Sequence, residues 1–229
     1  LDLGSYFVFL SEPLCATSDL KRSIHEIELF CARHKKKHIF LLAGEEFSAL
    51  CSQQGYTCNS LGVNAKIDIQ GYRPSKNMRH NIHCAKKRGL SVEEIKGLSP
   101  EDPITEELKN ISDGWAKTKI APKELQLVVG IFREIFLKEP RIFLVKQKGQ
   151  NIGFSVFYPY YENGKVKGYT MDILRKRPGS LNQGVFESVV QKAVEVFQAE
   201  EAQEIALGWA PFYYRNTYNA RIDTIGIAK

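Results

Sequence analysis

Lys165 to Glu187 reads KVKGYTMDILRKRPGSLNQGVFE: a strand, a loop and the start of a helix. Val166, Tyr169, Met171, Ile173 and Leu174 supply the apolar residues of the strand. Arg175-Lys176-Arg177-Pro178-Gly179-Ser180 cannot continue it, because Pro178 has no N–H for a ladder and Gly179 favours a turn. Phe186, Val189, Val190, Ala193 and Phe197 then recur at helical spacing, and Asn182 is placed to cap that helix. A helix N-terminus, with free N–H groups and the positive end of a dipole, therefore follows a loop that carries three cations. That is an anion site by construction, and Asp172 is the one carboxylate on the strand leading to it.

Upstream lie two further strand patterns, Ile142 to Lys146 and Asn151 to Tyr160. Short turns separate the three, and Asn163-Gly164 is a strong hairpin signal. Before them, Thr105 to about Lys117 reads as a helix containing Trp115, and Gln126 to Lys138 as another. After the stretch, the helix runs from about Gln183 to Ala199 and a strand follows over Glu204 to Trp209. Helix, three antiparallel strands, helix, strand is similar to the order of the GNAT acyltransferase fold. Trp115 reads as a core residue rather than a stacking platform.

The N-terminal half alternates differently. Tyr6 to Leu10 is a strand; Leu20, Ile24, Ile27 and Cys31 mark a helix; His38 to Ala43 is a buried strand. Glu45 to Gln53 is a short helix and Leu61 to Ile69 an alternating strand. That pattern predicts an α/β lobe. The fold class expected is α/β (α+β): two GNAT-like lobes joined by a basic helix. The boundaries expected are 1–74, 75–89 for the helix, and 90–229.

The connecting helix carries the charge. Gly71 to Leu90 holds Arg73, Lys76, Arg79, Lys86, Lys87 and Arg88 with no acid, and these equal the whole formal net charge of +6. Pro74 opens the helix and Gly89 stops it. Lys76, Arg79, His83, Lys86 and Lys87 fall on one side, Met78, Ile82 and Ala85 on an adjoining arc. A solvated helix of mixed sign would carry i,i+4 Glu–Lys pairs, and this one has none. Concentrated positive charge suits phosphate, whether in RNA, a lipid headgroup or a nucleotide.

Composition excludes some classes. At 43% hydrophobic and 11% aromatic residues the chain can bury a core. No apolar run approaches the ~18 residues of a membrane span. Five cysteines without paired spacing suggest a reducing, cytoplasmic compartment. Neither Cys31-x-x-His34-x-x-x-His38 nor His80-x-x-His83-Cys84 has a partner cluster, so no metal site is expected.

Several blocks, taken in order, resemble one family. They are Leu61-Gly62 with Ala65 and Asp68; Lys76, Arg79, Ala85 and Gly89; Trp115; Asp172-Ile173-Leu174-Arg175 with Pro178; Asn182 to Glu187; and Gly208-Trp209-Ala210-Pro211. The chain resembles the soluble C-terminal domain of bacterial phosphatidylglycerol lysyltransferases, from about Tyr6 to Pro211. The resemblance implies transfer of an aminoacyl group from a charged tRNA to a lipid headgroup hydroxyl. It implies that Asp172 and Arg175, the D-x-x-R pair, are functionally required. It implies tRNA and an anionic headgroup as partners, and a position at the inner membrane surface. Members usually carry a functional Glu and Lys beyond the Ala-Pro block, and Phe212 to Tyr218 offers neither.

Such chemistry needs a grip on phosphates, recognition of an α-ammonium and stabilisation of an oxyanion. Asp172 could bind the ammonium or orient the acceptor hydroxyl; Arg175 could hold a phosphate or a developing negative charge. The two could equally form a structural ion pair. Lys76, Arg79, Lys86, Lys87, Tyr169, Arg177, Asn182 and Glu187 are the candidate substrate-binding residues. The rivals are a CoA-dependent N-acyltransferase and a non-catalytic protein that holds RNA or anionic lipid. Coenzyme A is disfavoured, since only Gly179 and Gly184 lie in the loop and Pro178 removes an N–H that would cradle pyrophosphate. No cofactor is expected.

Overall fold

A computed structural model describes residues 1–99, 101–118 and 140–211. The chain divides into two compact units, Leu1–Val63 and Asn64–Ala210. The first holds strands β1 (Asp2–Leu3), β2 (Tyr6–Leu10) and β3 (Lys37–Leu41), in that spatial order. β1 and β2 are antiparallel; β2 and β3 are parallel, because helix α1 (Leu20–Arg33) carries the chain back between them. Ile24 of α1 and Phe47 and Cys51 of α2 (Glu45–Gln53) close a small core with Phe40 and Tyr56. The cationic run after α1 is partly engaged: Lys36 pairs with Asp2 and lies 4.5 Å over the Phe7 ring.

The second unit is built on a six-stranded sheet, ordered β4-β9-β8-β7-β6-β5. Its strands are β4 (Gly62–Asp68), β5 (Leu90–Ile95), β6 (Arg141–Gln147), β7 (Gln150–Glu162), β8 (Lys165–Lys176) and β9 (Glu204–Pro211). β5 to β8 are antiparallel neighbours, and β9 joins β8 in parallel after helix α5 (Val185–Ala199). Two findings depart from the sequence reading. β4, expected in the N-terminal lobe, lies beside β9 in this sheet. The basic helix α3 (Lys76–Lys87) belongs to the second unit, so the division falls at 63/64 where 74/75 was expected. The expected helix over 126–138 lies outside the described residues.

Helices cover both faces. On one face, Ala85 of α3 and Val189, Ala193 and Phe197 of α5 pack with Phe143, Phe157 and Tyr169. The Phe143, Phe157 and Phe197 rings meet edge to face at 5.2 to 5.6 Å. On the other, Leu108 and Ile111 of α4 (Pro103–Ala116) pack on Ile142, Leu144, Phe154, Val156 and Ile173.

Two irregularities shape the middle of the sheet. Val156 opposes Ile173 and Phe157 opposes Met171, so Asp172 is the extra residue of a β-bulge. β8 and β9 pair from Gly168/Glu204 to Thr170/Ala206 and then part, although β8 continues to Lys176 and β9 to Pro211. Asp172 lies two residues past the last pair.

Candidate functional site

Asp172 owes its position to the bulge, which takes it out of the regular alternation where β8 leaves β9. It is exposed at its rim, while the surrounding protein still desolvates it. That desolvation raises its carboxyl above the usual aspartate range, and the charge of Arg175 opposes the shift. Arg175, three residues on, is 5% exposed. Burial brings its guanidinium down to about 10, with Asp172 pulling the other way. Each group thus sits in a place that disfavours its own charge. The Tyr158 phenol, raised by burial and by the charge of Asp172, keeps its proton there.

The ion-pair reading is too simple for Arg175. Its Cζ sits 3.4 Å from the centroid of the Trp115 ring, so the guanidinium lies on an indole at the end of α4. Trp115, read from sequence as core, is half-buried and serves as that platform. Nothing in the sequence alone marks this contact, because the two residues are separated by the whole meander.

Arg177 is held structurally. Its Nη2 donates to Glu107 of α4 at 2.7 Å and its Nε to the Asn151 carbonyl at 2.8 Å. Tyr169 is 6% exposed and stacked on Phe197 at 3.7 Å, away from solvent. Its hydroxyl accepts from Arg141 and donates to Glu200, both at 3.0 Å. These bonds and that burial place it in the core. Asn182 is exposed and does not cap α5; Gly184 occupies the N-cap with φ +81°. Glu187 accepts from Asn81 Nδ2 of α3 at 2.7 Å, which ties the two helices together.

α3 presents the cations as its sequence predicts. Lys76, Arg79, Lys86 and Lys87 are exposed, while Ala85 is buried and Met78 and Ile82 are half-buried. Ser75, not Pro74, starts the helix, accepting from the Met78 N–H at 3.2 Å. Arg79 Nη1 donates to the Pro74 carbonyl. Among the described residues, no acidic side chain pairs with any of the four.

The start of α5 meets α3 at Gly184. A Cβ built on Gly184 would collide with the Asn81 carbonyl and stand 2.7 Å from the Ala85 Cβ. α3 therefore occupies the space beside the helix N-terminus that was read from sequence as an anion cradle. What remains open is the parting of β8 and β9, with Asp172 beside it.

The family model for the C-terminal region of phosphatidylglycerol lysyltransferase matches residues 3–222. The chain belongs to that family. This lysyltransferase-family domain is 24% identical over 177 residues to the phosphatidylglycerol lysyltransferase of Bacillus subtilis, covering 76% of the chain and 20% of that protein. L-PGS from Bacillus licheniformis is similar with a TM-score of 0.81 at 20% identity, over 96% of this chain and 66% of that one. The C-terminal domain of an Agrobacterium fabrum protein gives 0.75 at 16%, over 92% and 66%. The lysyltransferase-family chain thus shares this α/β architecture, while spanning about a fifth of the length of its curated relative.

Proposed function

We propose that the chain moves an aminoacyl group of the lysyl type from an aminoacyl-tRNA to a lipid headgroup hydroxyl such as that of phosphatidylglycerol. The observation that carries this reading is a pair of opposite charges, one on a bulge and one on an indole, set where β8 and β9 part. Asp172, its basicity raised by desolvation, takes the proton of the acceptor hydroxyl. The hydroxyl oxygen attacks the ester carbonyl, and the Arg175 guanidinium faces the oxyanion. Collapse breaks the bond to the ribose oxygen, which leaves with a proton. One ester is exchanged for another, so no cofactor is required for balance.

The exposed cations of α3 would hold the tRNA phosphates, since none is neutralised by an acid among the described residues. The close approach of α3 to Gly184 narrows the space beside the start of α5 where an acyl-CoA rival would seat its pyrophosphate. No helix among the described residues is long and apolar enough to cross a membrane, so contact with a headgroup would be made at the bilayer surface.

Filter binding of total tRNA at two salt concentrations, beside Lys76→Glu/Arg79→Glu, is the first test. Tight, salt-sensitive binding that the double variant loses supports the reading. Labelled aminoacyl-tRNA with phosphatidylglycerol vesicles then tests transfer. Absence of tRNA binding at low salt sinks it and directs attention to acyl-CoA donors. Binding without transfer leaves a protein that only holds RNA.

A further inference from the structure

The β8–β9 ladder stops while both strands still have residues to run, and two glycines mark its ends. At Gly168 the strands are so close that an added Cβ would collide with the Glu204 carbonyl. At Gly208 the space is open: the Met171 carbonyl oxygen, 4.0 Å from an added Cβ, is all that it would meet. Glycine is therefore not needed at 208 for room. It is needed by the backbone, which stands at φ +92°. Among the described residues, this is the one positive-φ position inside a strand rather than at its end or in a turn.

The register says what lies opposite that position. Gly168 pairs with Glu204, Tyr169 with Ile205 and Thr170 with Ala206. Two more steps of the same ladder would set Asp172 against Gly208. Paired strands run about 4.8 Å apart with their facing N–H and C=O groups bonded, so no substrate passes between them. A positive φ takes the chain off the extended path that a ladder requires. β9 nevertheless stays in the sheet: β4 flanks its other edge, and Leu207 packs against the core. The strand thus leaves one neighbour at the point where Asp172 stands exposed at its rim.

We infer that Gly208 is a positioning residue for transfer: its positive-φ backbone ends the β8–β9 ladder opposite Asp172 and holds open the gap by which ester and acceptor reach that carboxylate. This rests on the transfer reading above. It assigns Gly208 an effect on the chemical step and none on the hold of tRNA by α3. The effect is one of backbone conformation, not of size.

The test compares Gly208→Ala and Gly208→Asn in the full chain. Asparagine is the larger residue, yet it enters positive φ far more readily than alanine. Initial rates with lysyl-tRNA and phosphatidylglycerol vesicles are measured beside tRNA filter binding. Amide hydrogen exchange is followed in peptides covering 171–176. For Gly208→Ala the expected result is a fall of roughly 100-fold in kcat with tRNA binding unchanged. Exchange over 171–176 should slow as the ladder extends. Gly208→Asn should keep most of the wild-type rate and exchange. An alanine variant as fast as wild type overturns the inference. So does an asparagine variant slower than the alanine one, because size then decides. An alanine variant that fails to fold overturns it too, since the glycine then serves the fold and not the step. Exchange separates this from failure of the transfer reading. An inactive wild type overturns that reading, and with it the positioning role, while slower exchange in Gly208→Ala still shows that this glycine ends the ladder. An active wild type with exchange unchanged in Gly208→Ala overturns the inference alone.

Discussion

At Asp172 the protein keeps a carboxylate where charge is unfavourable. Desolvation outweighs the attraction of Arg175, so the folded-state pKa lies above the unfolded one. The sign follows: the folded state binds the proton more tightly, and stability falls as pH rises from the ordinary aspartate value of about 4 through the raised one. Asp172→Asn should therefore abolish transfer yet raise Tm at pH 7. That gain should shrink as the pH approaches 4; a lower Tm at pH 7 would show that the ion pair dominates. Arg175→Lys keeps the charge but loses the planar fork, and should reduce kcat about 100-fold. That a carboxylate and a cation lie three residues apart at this strand end was legible in the sequence. Its setting was not: the bulge is a matter of register with β7, and the indole comes from a helix 60 residues earlier.

The contact between α3 and α5 is made at glycine. Gly184 sits at φ +81° with the Asn81 carbonyl against it, and Glu187 and Gln183 both bond Asn81. Gly184→Ala adds overpacking to an unfavourable φ and should cost about 2–4 kcal/mol in urea unfolding. Ser75→Ala removes the α3 cap and should cost about 1 kcal/mol. Most elements were legible because their apolar periods are clean, as in Val189, Val190, Ala193 and Phe197 on α5. Their ends were less so. Asn182 and Pro74 have the right chemistry for helix starts, but packing selects Gly184 and a neighbouring hydroxyl selects Ser75. β1, two residues long, has no period to read.

In the second unit, Arg141 binds the sheet to a helix end. It pairs with Glu94 of β5, donates twice to Glu200 at 2.7 Å and once to Tyr169, and lies over the Phe197 ring. These partners push its guanidinium further up, so it stays charged at any working pH. Arg141→Met leaves two acids without their cation and should cost about 2 kcal/mol, measured by thermal unfolding. Over the whole chain, the net charge concentrated near α3 gives a further expectation. If about five cations meet tRNA phosphates, log K should fall with log salt at a slope of roughly 3.5 to 4.5, and Lys76→Glu/Arg79→Glu should flatten it. The α/β class was legible from the order of strands and helices. The division at 63/64 was not, because an alternating strand such as β4 carries no mark of which sheet it will join.

The bulge has a consequence of parity. In an unbroken strand 169, 171, 173 and 175 would share one face. Here Tyr169 and Met171 pack with α5 while Ile173 packs with α4 and Arg175 reaches Trp115. One inserted residue has inverted everything downstream of it, which is why Ile173 and Leu174 can both be apolar in sequence. Substituting Asp172 and deleting it are therefore different experiments. Substitution removes a carboxylate and leaves the bulge; deletion removes the bulge as well, yet keeps Ile173 and Arg175 on their present face, since Met171 and Ile173 already oppose the consecutive residues Phe157 and Val156. The deletion should fold as Asp172→Ala does, with a regular β7–β8 ladder in place of the bulge, which thermal unfolding of the two variants checks, and Arg175 owes its face to a count of residues as much as to its own chemistry.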